Sequence, residues 1–274
     1  MIKRILVGIG DKTFSAAATQ RAIELARCHE AELTAVSATD LKRLESVGPI
    51  PIGGESAARQ LIEHRVETAR RVVRETVAQF ESACTDAGVT YRMRQVEEEP
   101  FEYLVDQARY HDLIVFGLRA LFEQGAEEET PEELVRLVEG GVRPIIAVCE
   151  EFRPIRKVLV AYSGSMESAE AMRRFLQLRL WPDASLRIVT FAHKDEGQEL
   201  LQDAGDYCRA HGFEPETEQV PEAAQEKLLA YAADWEADLI VMGTSGRNFL
   251  IRRLFGATAF TVIRHADRSL FLCH

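Results

Sequence analysis

Apolar and polar positions along this chain fall into blocks that recur in order. Lys3 to Ile9 is too continuously apolar for a strand with one wet face, which predicts a parallel strand buried on both sides. Helical spacing follows in Ser15 to Glu30, where Ala18, Ala22, Ile23, Leu25 and Ala26 make one apolar stripe. Leu33 to Ala38 reads as the next strand. Lys42 to Gly54 holds Gly48, Pro49, Pro51, Gly53 and Gly54 and reads as a loop. A long amphipathic helix from Glu55 to about Gly88, a short strand near Val89 to Val96, a helix from Pro100 to about Tyr110, a strand from Asp112 and a final apolar strand, Pro144 to Val148, complete the block.

The second block repeats that order. Strands are expected from Val158, at Leu186 to Phe191, at Phe213 to Val220, from Asp238 and at Leu270 to Leu272. Helices are expected from Glu167, at Gln198 to His211, at Pro221 to Trp235 and at Ala259 to His265. The repetition extends to residue identity: Asp112-Leu113-Ile114-Val115-Phe116-Gly117 returns as Asp238-Leu239-Ile240-Val241-Met242-Gly243. Both copies end in cysteine, at Cys149 and Cys273. Residue 5 pairs with 158 and residue 112 with 238, so the offset falls from 153 to 126 and the first copy carries about 27 extra residues. These lie before Cys84, in the 42–54 loop and the long helix after it.

Alternation of strand and helix at this spacing predicts an α/β fold: two tandem open parallel-sheet domains, Rossmann-like, with right-handed crossovers. The short, charged stretch Glu150 to Pro154 divides residues 1–150 from 154–274. At 274 residues and 46% hydrophobic content, each part is long enough to bury a core. The two final strands are expected to lie near one another across an interface.

Charge and composition narrow the functions. A net charge of -11 argues against a general nucleic-acid binder. No apolar run suggests a membrane-spanning helix, and Met1-Ile2-Lys3-Arg4 leads into a strand pattern rather than a signal peptide, so a cytoplasmic protein is expected. Five cysteines without a CxxC pair read as small buried hydrophobes. The histidines form no HxxxH or zinc-spaced cluster, and no P-loop or GxSxG elbow is present. Without a base or metal set, fast phosphoryl transfer is not expected.

Glycines supply the candidate site. In an open parallel sheet, ligands bind beyond the carboxyl ends of the strands, where helix N-termini offer free amide donors. Gly243-Thr244-Ser245-Gly246 begins at such a strand end, and nine residues later come Gly256-Ala257-Thr258. Glycine admits a phosphate close to backbone amides, and the hydroxyls of Thr244, Ser245 and Thr258 can donate.

This spacing, with both strand openings and both final strands, resembles a tandem universal stress protein over essentially the whole chain. The resemblance implies binding of ATP or a related adenine nucleotide, AMP or ADP among them. It places Gly243, Ser245 and Gly246 at the ribose and phosphates, with Gly256, Ala257 and Thr258 closing over the phosphate chain. Phe191 would lie near adenine, although a core position fits it equally. Arg247, Arg252 and Arg253 would pair with phosphate or form a solvated loop. Two departures stand out: Ser163 occupies the place where the family usually has aspartate, and Ala257 replaces a serine or threonine.

The first copy has lost more. Gly117-Leu118-Arg119-Ala120 lacks the second glycine, and Glu123, Glu127, Glu128, Glu129, Glu132 and Glu133 follow, a run that would repel phosphate. The expectation is a stress-response regulator with one working nucleotide site, in the second half. The alternative is an interaction scaffold on the same fold that binds no nucleotide. The protein partner is unspecified, and both a monomeric pseudo-dimer and a homodimer fit the duplication.

Overall fold

The computed structural model describes residues 2–10, 12–38, 54–96, 100–118, 143–192, 197–244 and 256–273. The first half runs β1 (Arg4–Ile9), α1 (Lys12–His29), β2 (Glu32–Ala38), α2 (Glu55–Asp86), β3 (Tyr91–Val96), α3 (Pro100–Ala108), β4 (Leu113–Gly117) and β5 (Ile145–Val148). The second runs β6 (Lys157–Ala161), α4 (Met166–Leu178), β7 (Ser185–Phe191), α5 (Gly197–Ala210), β8 (Glu216–Val220), α6 (Ala224–Asp234), β9 (Leu239–Gly243), α7 (Gly256–His265) and β10 (Ser269–Cys273).

The described strands form a single ten-stranded sheet in the order β3-β2-β1-β4-β5-β10-β9-β6-β7-β8. Every neighbouring pair is parallel except β5 and β10, which run antiparallel with Phe271 opposite Ile146. The two final strands therefore meet, as their apolar character suggested, and their pairing removes two sheet edges.

Successive residues of each strand serve opposite faces. Ile5, Val7, Val158, Val160, Val241 and Phe271 belong to one apolar core, roofed by α1, α2, α4 and α5. Leu6, Ile114, Leu159, Ile240, Leu270 and Leu272 belong to the other, roofed by α3, α6 and α7. Both cores run through both halves, so the hydrophobic interior is divided by sheet face and not by sequence repeat.

The duplicated aspartates explain part of the repeat. Asp112 accepts hydrogen bonds from the backbone N–H groups of Lys3 and Arg4, at 2.8 and 3.1 Å. Asp238 accepts those of Arg156 and Lys157, at 2.8 and 2.9 Å. Each carboxylate fixes the start of the strand beside its own. Serine is duplicated for a similar purpose: Ser15 Oγ accepts from Gly10 N–H at 3.0 Å, and Ser168 Oγ from Ser163 N–H at 3.3 Å.

One buried cation ties the halves together. Arg21, on α1, is only 1% exposed and lies over the rings of Phe152 and Trp181, at 4.6 and 5.3 Å from their centroids. It donates to Glu24 and to the Arg153 carbonyl oxygen, while Trp181 Nε1 donates to Glu24 at 3.2 Å. Burial lowers its pKa, and the Glu24 charge partly opposes that shift.

Cys84, Cys149, Cys208 and Cys273 are buried thiols, as the reading as small hydrophobes requires, whereas Cys28 is exposed. Burial pushes the Cys84 and Cys208 thiols up to about 12. Among the described residues, no helix is long and apolar enough to cross a membrane, and no group of three His, Cys, Asp or Glu side chains is gathered to hold a metal.

Candidate functional site

In the second half, β6 is flanked by β9 on one side and β7 on the other, so the carboxyl ends of these three parallel strands share one rim. A cleft of about 190 Å³ opens there. Its walls come from Ala161 at the end of β6, Tyr162 and Ser163 just after it, Phe191 at the end of β7, and Met242 and Gly243 at the end of β9. The first turn of α4 adds Glu167 and Ser168, α6 adds Ala224 and Leu228, and α7 adds Thr258 and Ala259.

Four of the nine candidate residues thus meet in one place: Ser163, Phe191, Gly243 and Thr258. Gly256 opens α7 and Ala257 follows in its first turn. Ser245, Gly246 and Arg247 lie outside the described residues, as do Arg252 and Arg253.

The chain turns sharply between β6 and α4. Gly164 takes a left-handed φ of 75°, which glycine adopts without the penalty a Cβ would bring. Ser165 then caps α4, its hydroxyl accepting from Ser168 N–H at 3.2 Å. Ser163 Oγ lies 3.3 Å from Ser168 Oγ, so this serine is tied into the cap. It remains exposed at the cleft.

Gly243 answers a packing demand as well as a binding one. A Cβ built on it would collide with the carbonyl carbon and oxygen of Glu167 and with Ser168 N. The end of β9 and the first turn of α4 touch backbone to backbone, which a side chain would forbid.

Thr244 departs from expectation. Its hydroxyl donates to the Cys273 carbonyl oxygen at 3.1 Å and the residue is 1% exposed, so it stitches β9 to β10 instead of facing a ligand. Phe191 is partly buried, lines the cleft and packs edge-on against Tyr231 at a centroid distance of 6.2 Å. Burial raises the pKa of Tyr162, with Asp203 and Cys208 adding to the effect, and keeps this cleft phenol neutral.

Sequence reasoning missed Glu167, Tyr162, Ser165 and Leu228. The sequence marked a helix from Glu167, but only the turn at Gly164 shows which residues of the first turn reach the rim. A larger space of about 630 Å³ lies near the linker, lined by Phe14, Leu118, Cys149, Glu151, Arg153 and Asp267 among others. It lies past the carboxyl ends of β4 and β5 and lacks the glycine spacing that marks the first cleft.

The sequence profile described as the universal stress protein family matches residues 1–142 and 191–274. The chain belongs to the universal stress protein family. A universal stress protein of Synechocystis is 26% identical over 156 residues, covering 56% of this chain and 54% of its own length. This universal stress protein spans about half the length of the curated relatives it matches. The crystal structure of a universal stress protein from Archaeoglobus fulgidus aligns with a TM-score of 0.66 at 16% identity, covering 98% of this chain and 97% of that one, so the fold extends along the whole molecule. Another solved universal stress protein, described as in complex with cAMP, is 28% identical, with 44% of this chain and 98% of that one aligned and a TM-score of 0.40.

Proposed function

We propose that this universal stress protein is a cytoplasmic stress-response regulator that binds an adenine nucleotide at a single cleft in residues 154–274, while residues 1–150 support the assembly. The carrying observation is the convergence of Ser163, Phe191, Gly243 and Thr258 on one strand-end cleft, at the place the glycine spacing marks. An aromatic and aliphatic wall of Phe191 and Leu228 suits a base, and hydroxyls and a helix N-terminus suit a sugar and phosphate.

The first half supports the one-site reading by its substitutions. At the offsets of the repeat, Phe14 stands for Glu167 and Phe116 for Met242, and both phenylalanines are buried. Bulky apolar groups occupy positions that in the second half border the cleft.

Calorimetric titration with ATP, ADP and AMP tests the proposal. Binding with a stoichiometry near one per chain is expected, and no heat at millimolar ligand would overturn it. The scaffold reading draws on Thr244, whose hydroxyl is spent on the backbone, and on a cleft smaller than the roughly 300 Å³ typical of small-molecule sites. It requires that Gly246→Leu leave partner binding unchanged.

A further inference from the structure

We propose that Glu167 reads the sugar of the ligand, making the cleft selective for ribonucleotides with free 2′ and 3′ hydroxyls over their deoxy counterparts. This inference rests on the adenine-nucleotide reading and assigns a role to a residue outside the glycine spacing.

Glu167 is half-buried in the first turn of α4 and borders the cleft, and among the described residues its carboxylate has no hydrogen-bond or ion-pair partner. An ionised carboxylate only accepts hydrogen bonds, so a ligand group that satisfies it must donate. Phosphate oxygens cannot donate and carry the wrong charge. The base amine is a donor, but the wall suited to a base lies elsewhere. Phe191 ends β7, Gly243 ends β9, and β6 separates them, so two strand spacings of about 4.8 Å put the aromatic wall about 10 Å from the Glu167 side of the cleft. A base stacked near Phe191 therefore brings its sugar, with two adjacent hydroxyl donors, toward Glu167. Carboxylate recognition of a ribose hydroxyl is the established solution in other doubly wound folds.

The backbone geometry explains how Glu167 is held. The absence of a side chain at Gly243 lets the Glu167 peptide rest directly on the end of β9. Gly243 is thus a positioning residue for Glu167.

Titration of the full chain with AMP, 2′-deoxy-AMP and 3′-deoxy-AMP tests this. The unmodified protein should bind AMP about 10-fold or more tightly than either deoxy form, the scale of a hydrogen bond to a charged group. Glu167→Ala should weaken AMP and bring the three ligands within about 2-fold of one another, with an unchanged thermal midpoint reporting an intact fold. Equal binding of AMP and deoxy-AMP by the unmodified protein, or full selectivity in Glu167→Ala, overturns the role of Glu167 while leaving the nucleotide site in place. No binding by the unmodified protein of these three, nor of ATP and ADP and their deoxy forms, overturns both.

Discussion

A methyl group on Gly243 would enter the Glu167 peptide, so Gly243→Ala is expected to cost stability along with ligand, by about 1–3 kcal/mol for a forced backbone shift. Urea titration checks this; a variant of normal stability that has lost only ligand would show that the glycine serves binding alone. His111 offers a second test at this scale. It is 1% exposed, its Nδ1–H donates to the Gln107 carbonyl oxygen at 2.6 Å, and its pKa is lowered, chiefly by burial. Between the lowered folded value and the unfolded value of about 6.5, the unfolded chain binds more protons than the native one. Stability therefore falls as pH drops below about 6.5. A smaller fall in His111→Gln, followed by thermal melts from pH 8 to 5, would assign that slope to this imidazole.

Among the elements, Asp112 and Asp238 do the same work at β1 and β6, each accepting two backbone N–H groups. Replacing either by alanine strands those donors and is expected to cost about 1–3 kcal/mol, with similar losses in both halves by urea titration. The repeated Asp-Leu-Ile-Val segments were easy to recognise in the sequence for the same reason: strands covered on both faces are apolar throughout, and their leading aspartate is fixed by backbone donors. Boundaries were harder. β8 starts at Glu216 and not at Phe213, because Phe213 is buried in the core beneath the Arg179 guanidinium, 5.6 Å from its ring, and takes no place in the ladder. α1 begins at Lys12, three residues before Ser15, where the sequence predicts its start. In the site, strand ends and glycine spacing located the cleft, but Glu167 was hidden because a glutamate in a first helical turn looks like an ordinary dipole partner. Thr244 misled because a hydroxyl beside a glycine gives no sign of the carbonyl it bonds.

For the whole molecule, the continuous sheet and the two shared cores predict cooperative unfolding. A single calorimetric transition is expected, with matching calorimetric and van't Hoff enthalpies, whereas two separable transitions would mean the halves unfold independently. The seam is the place to weaken this coupling. Phe271 is fully buried, faces Ile146 across the β5–β10 pair and packs edge-on against Phe175 at 5.6 Å. Phe271→Ala should cost about 3–5 kcal/mol and split the transition in the same measurement.

The antiparallel seam also settles where the two halves look. Because β5 and β10 run in opposite directions and every other pair is parallel, β1 to β4 point one way and β6 to β9 the other. The cleft beside Gly243 and the corresponding strand ends beside Gly117 therefore lie at opposite ends of one plate. A macromolecule docked over the Gly117 end would leave the Gly243 cleft uncovered, so a small molecule there would exchange without waiting for its larger neighbour to depart.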